Sequence, residues 1–284
     1  MGISRVEDTH FPKKRHLRVK DKLIDLTIPK IMGIVNVTPD SFYSDSRIKT
    51  DKKLLSAVEG MLKDGADLID IGGYSTRPNA DFVTEEEELK RVIAPITLIK
   101  KEFPDCILSL DTFRGNVAET GIEHGADMIN DISGWQYDPK LLDVVAKYNL
   151  PYVLMHVAEH AEKMHETTAN DHLFRDMIFY FSNKLQQLTD RGITDVIIDP
   201  GFGFSKTLEQ NYELLSDLSL FSILERPLLV GFSRKSMIYK KLDIDPENAL
   251  NGTTILNTQA IMKGASILRV HDVLEAKQII RLLF

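Results

Sequence analysis

The chain has 284 residues, 35 Lys and Arg against 42 Asp and Glu, and a net charge of −7. This balance excludes the basic face that a nucleic-acid footprint needs and leaves room for a local basic pocket suited to a small anion. A hydrophobic fraction of 43% supports a full core, and the lone Cys106 excludes an internal disulfide and fits a reducing cytosol.

No apolar run approaches the roughly 18 residues of a membrane helix. The opening stretch MGISRVEDTHFPKKRH lacks an apolar signal core, and Val6 stands where a myristoylation pattern wants Ser or Thr. The expectation is a soluble cytoplasmic protein with no membrane or nucleic-acid partner. Residues 1–27 read as a polar extension followed by a short hairpin, in which Leu17, Val19 and Leu23 alternate around an Asp21-Lys22 break. The remainder, 28–284, reads as one domain, since no linker-like Pro/Gly/Ser stretch divides it.

The first long strand is the β-branched run Ile31–Val35, which delivers Asn36 into a polar loop, Thr38-Pro39-Asp40-Ser41. A neutral amide followed by hydroxyls and a carboxylate suits a hydrated cation or a phosphate oxygen, and equally suits a capped turn. Asp51 is expected to cap a helix with Leu54, Leu55, Val58 and Leu62 on one face. Gly65-Ala66-Asp67, Gly125-Ala126-Asp127 and Gly264-Ala265-Ser266, with Gly192 before DVIID, repeat one punctuation: a left-handed glycine ends a helix and a strand follows. A helix is predicted from Thr84 with a capping box to Glu87, kinked or split at Pro95; another opens at Asp138-Pro139. VLEAKQIIRLLF closes the chain.

Eight apolar runs qualify as strands: 31–36, 68–72, 107–111, 128–132, 152–156, 196–199, 228–232 and 266–270. Eight βα units over some 255 residues match a single (β/α)8 TIM barrel preceded by the short N-terminal hairpin. A doubly wound sheet would use fewer strands and a glycine-rich first turn, and no G-x-G-x-x-G follows the first strand.

In such a barrel the site lies at the C-terminal strand ends. Those ends carry Asn36; Thr76 and Arg77 in the following loop; Asp111; Asn130 with Asp131; His156; Asp199; Arg234, Lys235 and Ser236; and Arg269 with His271. Singly, each has an ordinary explanation: a helix cap for an Asp, a surface ion pair for Arg269, a hydrogen-bonded core imidazole for His156. Together they would meet on one rim. Asn36, Arg269, His271 and Arg77 suit a phosphate group, with Asn36 placed to share a Mg²⁺ with it. Asp111, Asn130 and Asp199 offer acceptors and an amide donor to a planar heterocycle with adjacent N–H groups, and Lys235 a donor for a ring carbonyl. Ser236 is expected to open a short helix, Ser236 to Leu242, whose N–H groups suit a carboxylate.

The run from Ile31 to Phe42, with GADLIDIGGYSTRPNA, SLDTFR, MINDISG, IIDPGFGFSKT, VGFSRKSMI and ILRVHDV in order, resembles the signature blocks of the dihydropteroate synthases, from about Ile24 to Phe284. The resemblance implies condensation of a 6-hydroxymethyl-7,8-dihydropterin diphosphate with p-aminobenzoate, in a homodimer that uses Mg²⁺. It assigns Asn36 to the metal and diphosphate, and Thr76, Asp111, Asn130, Asp199 and Lys235 to the pterin, with Met155 and Phe204 packing near it. It gives Arg269 and His271 to the diphosphate, and Arg77, Pro78, Lys235 and Ser236 to p-aminobenzoate. Asp111, Arg77, Lys235, Arg269 and His271 form its catalytic set. The sequence departs from the family pattern in an extra residue between Phe42 and Asp45, in Tyr74 and Asn79, and in Ala158-Glu159 after His156. A folate-dependent methyltransferase barrel would not need Arg269, His271 and SRKS. A metal-dependent aldolase barrel would need clustered His, Asp or Glu ligands. A catalytically silent binding protein would lack a site residue.

Overall fold

The computed structural model describes residues 14–37, 47–74, 83–157 and 172–284; at 47–50 it describes backbone only. A two-stranded antiparallel hairpin, β1 (His16–Val19) and β2 (Lys22–Asp25), precedes eight parallel strands: β3 (Lys30–Asn36), β4 (Leu68–Gly72), β5 (Leu108–Asp111), β6 (Met128–Asp131), β7 (Tyr152–Met155), β8 (Val196–Asp199), β9 (Leu229–Val230) and β10 (Ile267–Val270). Their order is β8-β7-β6-β5-β4-β3-β10-β9, and a parallel bridge between Ile198 and Leu228 joins the outer two strands. The sheet thus closes into a barrel. Helices α1 (Arg47–Asp64), α2 (Glu85–Glu102), α3 (Gly115–Glu123), α4 (Lys140–Tyr148), α5 (Leu173–Asp190), α6 (Leu208–Ser216), α7 (Ser236–Leu242), α8 (Leu250–Met262) and α9 (Val273–Leu283) lie between and after them. None is long and apolar enough to cross a membrane.

The period of two along each strand sorts the side chains. Outward positions such as Ile69, Ile71, Leu108, Leu110, Ile129, Leu154, Ile198 and Leu268 join the helices in the main core. Inward positions form layers. At the N-terminal end Met32, Leu68, Met128, Val153, Ile197, Leu229 and Ile267 make a second apolar cluster, closed below by Leu17, Val19 and Leu26. The hairpin therefore plugs the bottom of the barrel. Leu23 does not share in this: it is exposed, because Ile24 takes the inward place on β2.

Gly65, Gly125, Gly192 and Gly264 all have positive φ, as their repeated position after a helix requires. Thr84 accepts from the Glu87 N–H, but Pro95 does not split α2, which is helical from end to end. Asp51 is not a cap, since α1 begins at Arg47 and takes Asp51 into its interior. The Asp138 carboxylate does cap: its Oδ1 accepts from Lys140 N at 3.1 Å, and its Oδ2 from Gly115 N at 2.7 Å, so one side chain serves the starts of two helices. A complete capping box between Thr207 and Gln210 opens α6, a signal that sequence reasoning passed over.

Candidate active site

The upper inward layers are polar where the lower ones are apolar. Asp70, Asp111, Asn130, Asp199 and Arg269 occupy inward positions of β4, β5, β6, β8 and β10. Arg269 is rooted level with Met32, low in the barrel, and its length carries the guanidinium upward and across the interior. There Nε donates to Asp70 Oδ2 at 2.7 Å and Nη2 to Asp111 Oδ2 at 2.8 Å. Asn130 Nδ2 donates to the same Asp70 oxygen at 3.0 Å. Three strands of carboxylate and amide are thereby tied to one cation. In this arrangement Arg269 lies on the acidic floor, although the sequence pattern grouped it with the anion-seeking lip.

Neighbouring strand residues face opposite ways, and this separates Asn130 from Asp131. Asp131 points out toward the helices and is saturated: it accepts from the Ser133 N–H and Oγ–H, the Trp135 N–H and the Tyr152 hydroxyl. Its role is structural.

The β8–α6 loop bends over the pit. Asp199 Oδ1 accepts from Gly201 N at 2.8 Å, and Gly201 has φ +69. A Cβ at Gly201 would run into the His156 carbonyl oxygen, so only glycine allows this approach. Lys206, buried, donates to the carbonyls of Gly201 at 2.9 Å, Phe204 at 3.0 Å and His156 at 3.4 Å, stapling the loop to the end of β7. Lys235 Nζ donates to the Phe202 carbonyl at 2.5 Å and stands 4.7 Å from the centroid of the Phe204 ring. Phe113, Ile132, Met155, Val157 and Phe204 form a separate apolar cluster with Tyr74 and Tyr137 against it. That cluster puts an apolar wall beside the polar floor, the pairing of surfaces that suits an aromatic heterocycle with polar edges.

Burial is the main electrostatic influence. It pushes the Asp111 carboxyl up to about 7, with Arg269 pulling the other way and Asp70 adding to the rise. Asp199 is raised by burial too, opposed by Lys235. Burial lowers Lys235 to about 8 and Lys206 to about 7, in both cases against the pull of Asp199. The His156 imidazole falls to about 3 through burial and the charge of Lys206, so it is a neutral core group stacked edge-on against Tyr180. At the lip, His271 Nδ1 lies 2.9 Å from Ser233 Oγ, which also accepts from the His271 backbone N–H at 3.2 Å. Arg234 is spoken for by Asp272, to which it donates from both Nε and Nη2. Ser236 is the first residue of α7, as expected, and follows directly on Lys235.

Asn36 ends β3, in register with Gly72, which in turn pairs with Asp111. Among the described residues no group of three or more His, Cys, Asp or Glu could hold a metal ion. A Mg²⁺ carried by phosphate oxygens needs no such cage, because it commonly takes one or two protein oxygens and keeps waters, and the half-exposed Asn36 amide fits that form. Thr76, Arg77 and Pro78, together with Thr38, Pro39, Asp40, Ser41, Asn79, Ala158 and Glu159, lie outside the described residues.

Sequence reasoning missed Asp70, Ser233 and Lys206. The first had a readable signal: a charge at an inward position of LIDIG, in a strand otherwise apolar on both faces. Ser233 and Lys206 had none, since a serine or lysine in a loop is usually solvated.

The family model described as "Pterin binding enzyme" matches residues 32–271. The chain is 39% identical to the dihydropteroate synthase of Haemophilus influenzae, over 90% of this chain and 94% of that protein. It is 43% identical to that of Bacillus subtilis, over 89% and 85% respectively. The fold superposes on the dihydropteroate synthase of Yersinia pestis, solved with a sulfonamide drug complex, with a TM-score of 0.87, 40% identity, and coverage of 94% of this chain and 98% of that one. With the strand ends, the closed barrel and the polar floor already in register, these likenesses make the chain a member of the pterin-binding enzyme family, on its dihydropteroate synthase branch.

Proposed function

We propose that this pit joins a dihydropterin to p-aminobenzoate by the following division of labour. The reaction of the family transfers the pterin-CH₂ group of 6-hydroxymethyl-7,8-dihydropterin diphosphate to the amine of p-aminobenzoate, releasing diphosphate. The C–O bond to diphosphate breaks, a C–N bond forms, and the arylamine gives up a proton. One observation carries the assignment of residues. Asp70, Asp111, Asn130 and Arg269 form one hydrogen-bonded cluster inside the barrel, and the apolar wall of Met155 and Phe204 stands at the same end.

In this reading Asp111, Asn130 and Asp199 take the N–H edge of the ring, Lys235 donates to its carbonyl, and Met155 and Phe204 cover its face. An arylamine is a neutral nucleophile near pH 7, so departure of diphosphate is the harder step. His271 and Asn36 stabilise charge on the leaving oxygens, and Asp111 stabilises positive charge growing at the pterin methylene, which favours loss of diphosphate ahead of amine attack. When bound, Mg²⁺ neutralises part of the diphosphate charge. Ser236 and Lys235, with Arg77 and Pro78, receive the carboxylate and ring of p-aminobenzoate, and Thr76 contributes to the pterin side.

The exposed stripe Ile255 and Met262 on α8, with Leu274, Leu282 and Phe284 on and beyond α9, supports association with a second copy of the chain. Equilibrium sedimentation tests this, and a monomer at micromolar concentration refutes it. Small polar substrates and the buried reduced Cys106 support a cytoplasmic setting. The activity itself is tested by incubating the protein with the dihydropterin diphosphate, p-aminobenzoate and Mg²⁺. Dihydropteroate is the expected product, abolished in Asp199→Ala, and a variant that binds pterin normally overturns the ring-site reading.

A further inference from the structure

We infer that Asp70 is a positioning residue of the ring-binding floor. By accepting from both Arg269 and Asn130 on a single carboxylate oxygen, it holds the guanidinium in place and commits the Asn130 amide to presenting its carbonyl oxygen to the ligand. The inference rests on the proposed assignment of Asn130 and Asp111 to the pterin ring.

Asp70 is fully buried, and its neighbours on β4 along the chain, Ile69 and Ile71, are fully buried apolar residues. Its Oδ2 accepts from Arg269 Nε at 2.7 Å and from Asn130 Nδ2 at 3.0 Å. Its other oxygen, Oδ1, is buried with no hydrogen-bond partner among the described residues. A carboxylate held only to strengthen the fold has both oxygens filled, as Asp131 does two strands further on with four donors. Leaving one oxygen bare in the interior costs stability, so the arrangement is explained by what the other oxygen does. Both donors on that oxygen come from residues of the pit, and none comes from the scaffold.

The consequence is chemical. An amide can present either its N–H₂ or its oxygen to a ligand, and the two ends read opposite edges of a heterocycle. With Nδ2 turned to Asp70, Asn130 joins Asp111 and Asp199 as a third acceptor facing a row of ring N–H groups. Asp70 also balances Arg269, which would otherwise bind Asp111 alone and compete with the ligand for that carboxylate.

The test uses the full-length protein. Asp70→Asn keeps the shape and one acceptor while removing the charge; Asp70→Ala removes both. Calorimetric affinity for 6-hydroxymethylpterin is measured as a function of pH, alongside kcat and the KM for each substrate. Asp70→Ala is expected to weaken pterin binding about 10- to 100-fold, the range for losing hydrogen bonds to a buried charge, with the KM for p-aminobenzoate unchanged. Asp70→Asn is expected to recover part of that loss and to move the acid limb of pterin binding to lower pH. The limb belongs to Asp111, which contacts Arg269 from β10 and feels the charges of Asp70 from β4, Glu88 from α2, Asp131 from β6 and Lys235 before α7, so losing one negative neighbour eases its ionisation. Folded variants with unmoved pterin affinity and an unmoved limb overturn the inference, as does an equal rise in both KM values.

If Asp70→Ala does not fold, the double variant Asp70→Asn/Arg269→Gln decides. Pterin affinity no worse than in Arg269→Gln alone supports action through the pair, and additive losses overturn it. Asn130→Ala separates the two levels: normal pterin affinity there overturns the ring-site reading and the inference with it. A loss there beside normal Asp70 variants overturns the inference alone.

Discussion

Replacing Asp111 with asparagine removes the carboxylate whose ionisation the floor makes most difficult. Burial lifts its pKa from the usual carboxylate range to about 7, and three units correspond to roughly 4 kcal/mol between its two protonation states. If the ring N–H groups bind only the ionised form, the fraction competent falls from about nine-tenths at pH 8 to about one-thirtieth at pH 5.5. Pterin affinity in the wild type should therefore drop about 30-fold, or ~2 kcal/mol, across that window. Calorimetry in buffers of different ionisation enthalpy should register proton release on binding near pH 6. Asp111→Asn should bind pterin weakly and with a flat pH profile.

Stability carries the opposite sign from an ordinary salt-bridged aspartate. The folded pKa lies above the unfolded one, so between about pH 4 and pH 7 the native state holds the extra proton and stability falls as pH rises. Asp111→Asn should lose that slope and gain melting temperature relative to wild type at pH 8. A wild-type pterin affinity identical at pH 5.5 and pH 8 would refute the reasoning, because it would mean that Asp111 is either already ionised or not in contact with the ring.

Asn36→Ala should raise the Mg²⁺ concentration needed to bind the diphosphate ester while leaving binding of the free pterin ring within about twofold; titrating both ligands against metal checks this. Lys235→Met should cost pterin affinity about 10-fold or more through loss of the donor to the ring carbonyl, and the alkaline limb near pH 8 should vanish from the kcat/KM profile, since burial places that titration at about 8. Leu17→Ala opens a hole under the barrel where Leu17 is fully buried, so it should destabilise by roughly 2–5 kcal/mol. Denaturant melts read that loss directly, and turnover at low temperature should be unchanged because the plug and the pit are at opposite ends. Gly201→Ala should lower kcat/KM and stability together, since the new Cβ meets the His156 carbonyl and the left-handed φ is strained. Normal kinetics in that variant would show that the loop does not need its present course.

The barrel was legible because its signal is local. Eight apolar runs, four of them directly after a glycine-stopped helix, require only period, punctuation and count, and every run became a strand in the predicted order. The strand-end residues were legible for the same reason: in a parallel barrel, chain direction alone assigns them to one end. The hairpin's direction was half legible, since the alternation of Leu17 and Val19 was correct while Leu23 broke it. Helix starts were less secure, as at Asp51, because a capping side chain and an interior one look alike until the preceding turn is formed.

What no local pattern contained is which side chains touch. Asp70 and Arg269 are 199 positions apart and meet only because β3 alone separates their strands and an arginine is long enough to span the gap. Arg269 is thereby tied to Asp70 and Asp111, and Asn130 donates to the same Asp70 oxygen. Lys206 became buried because three carbonyls converge on it from a loop and a strand end that chain order does not bring together. Composition, period and chain direction thus set the architecture and the rim on which chemistry occurs. The pairing of charges inside that rim came from tertiary structure alone, because electrostatic partners depend on distance across the barrel and not along the chain.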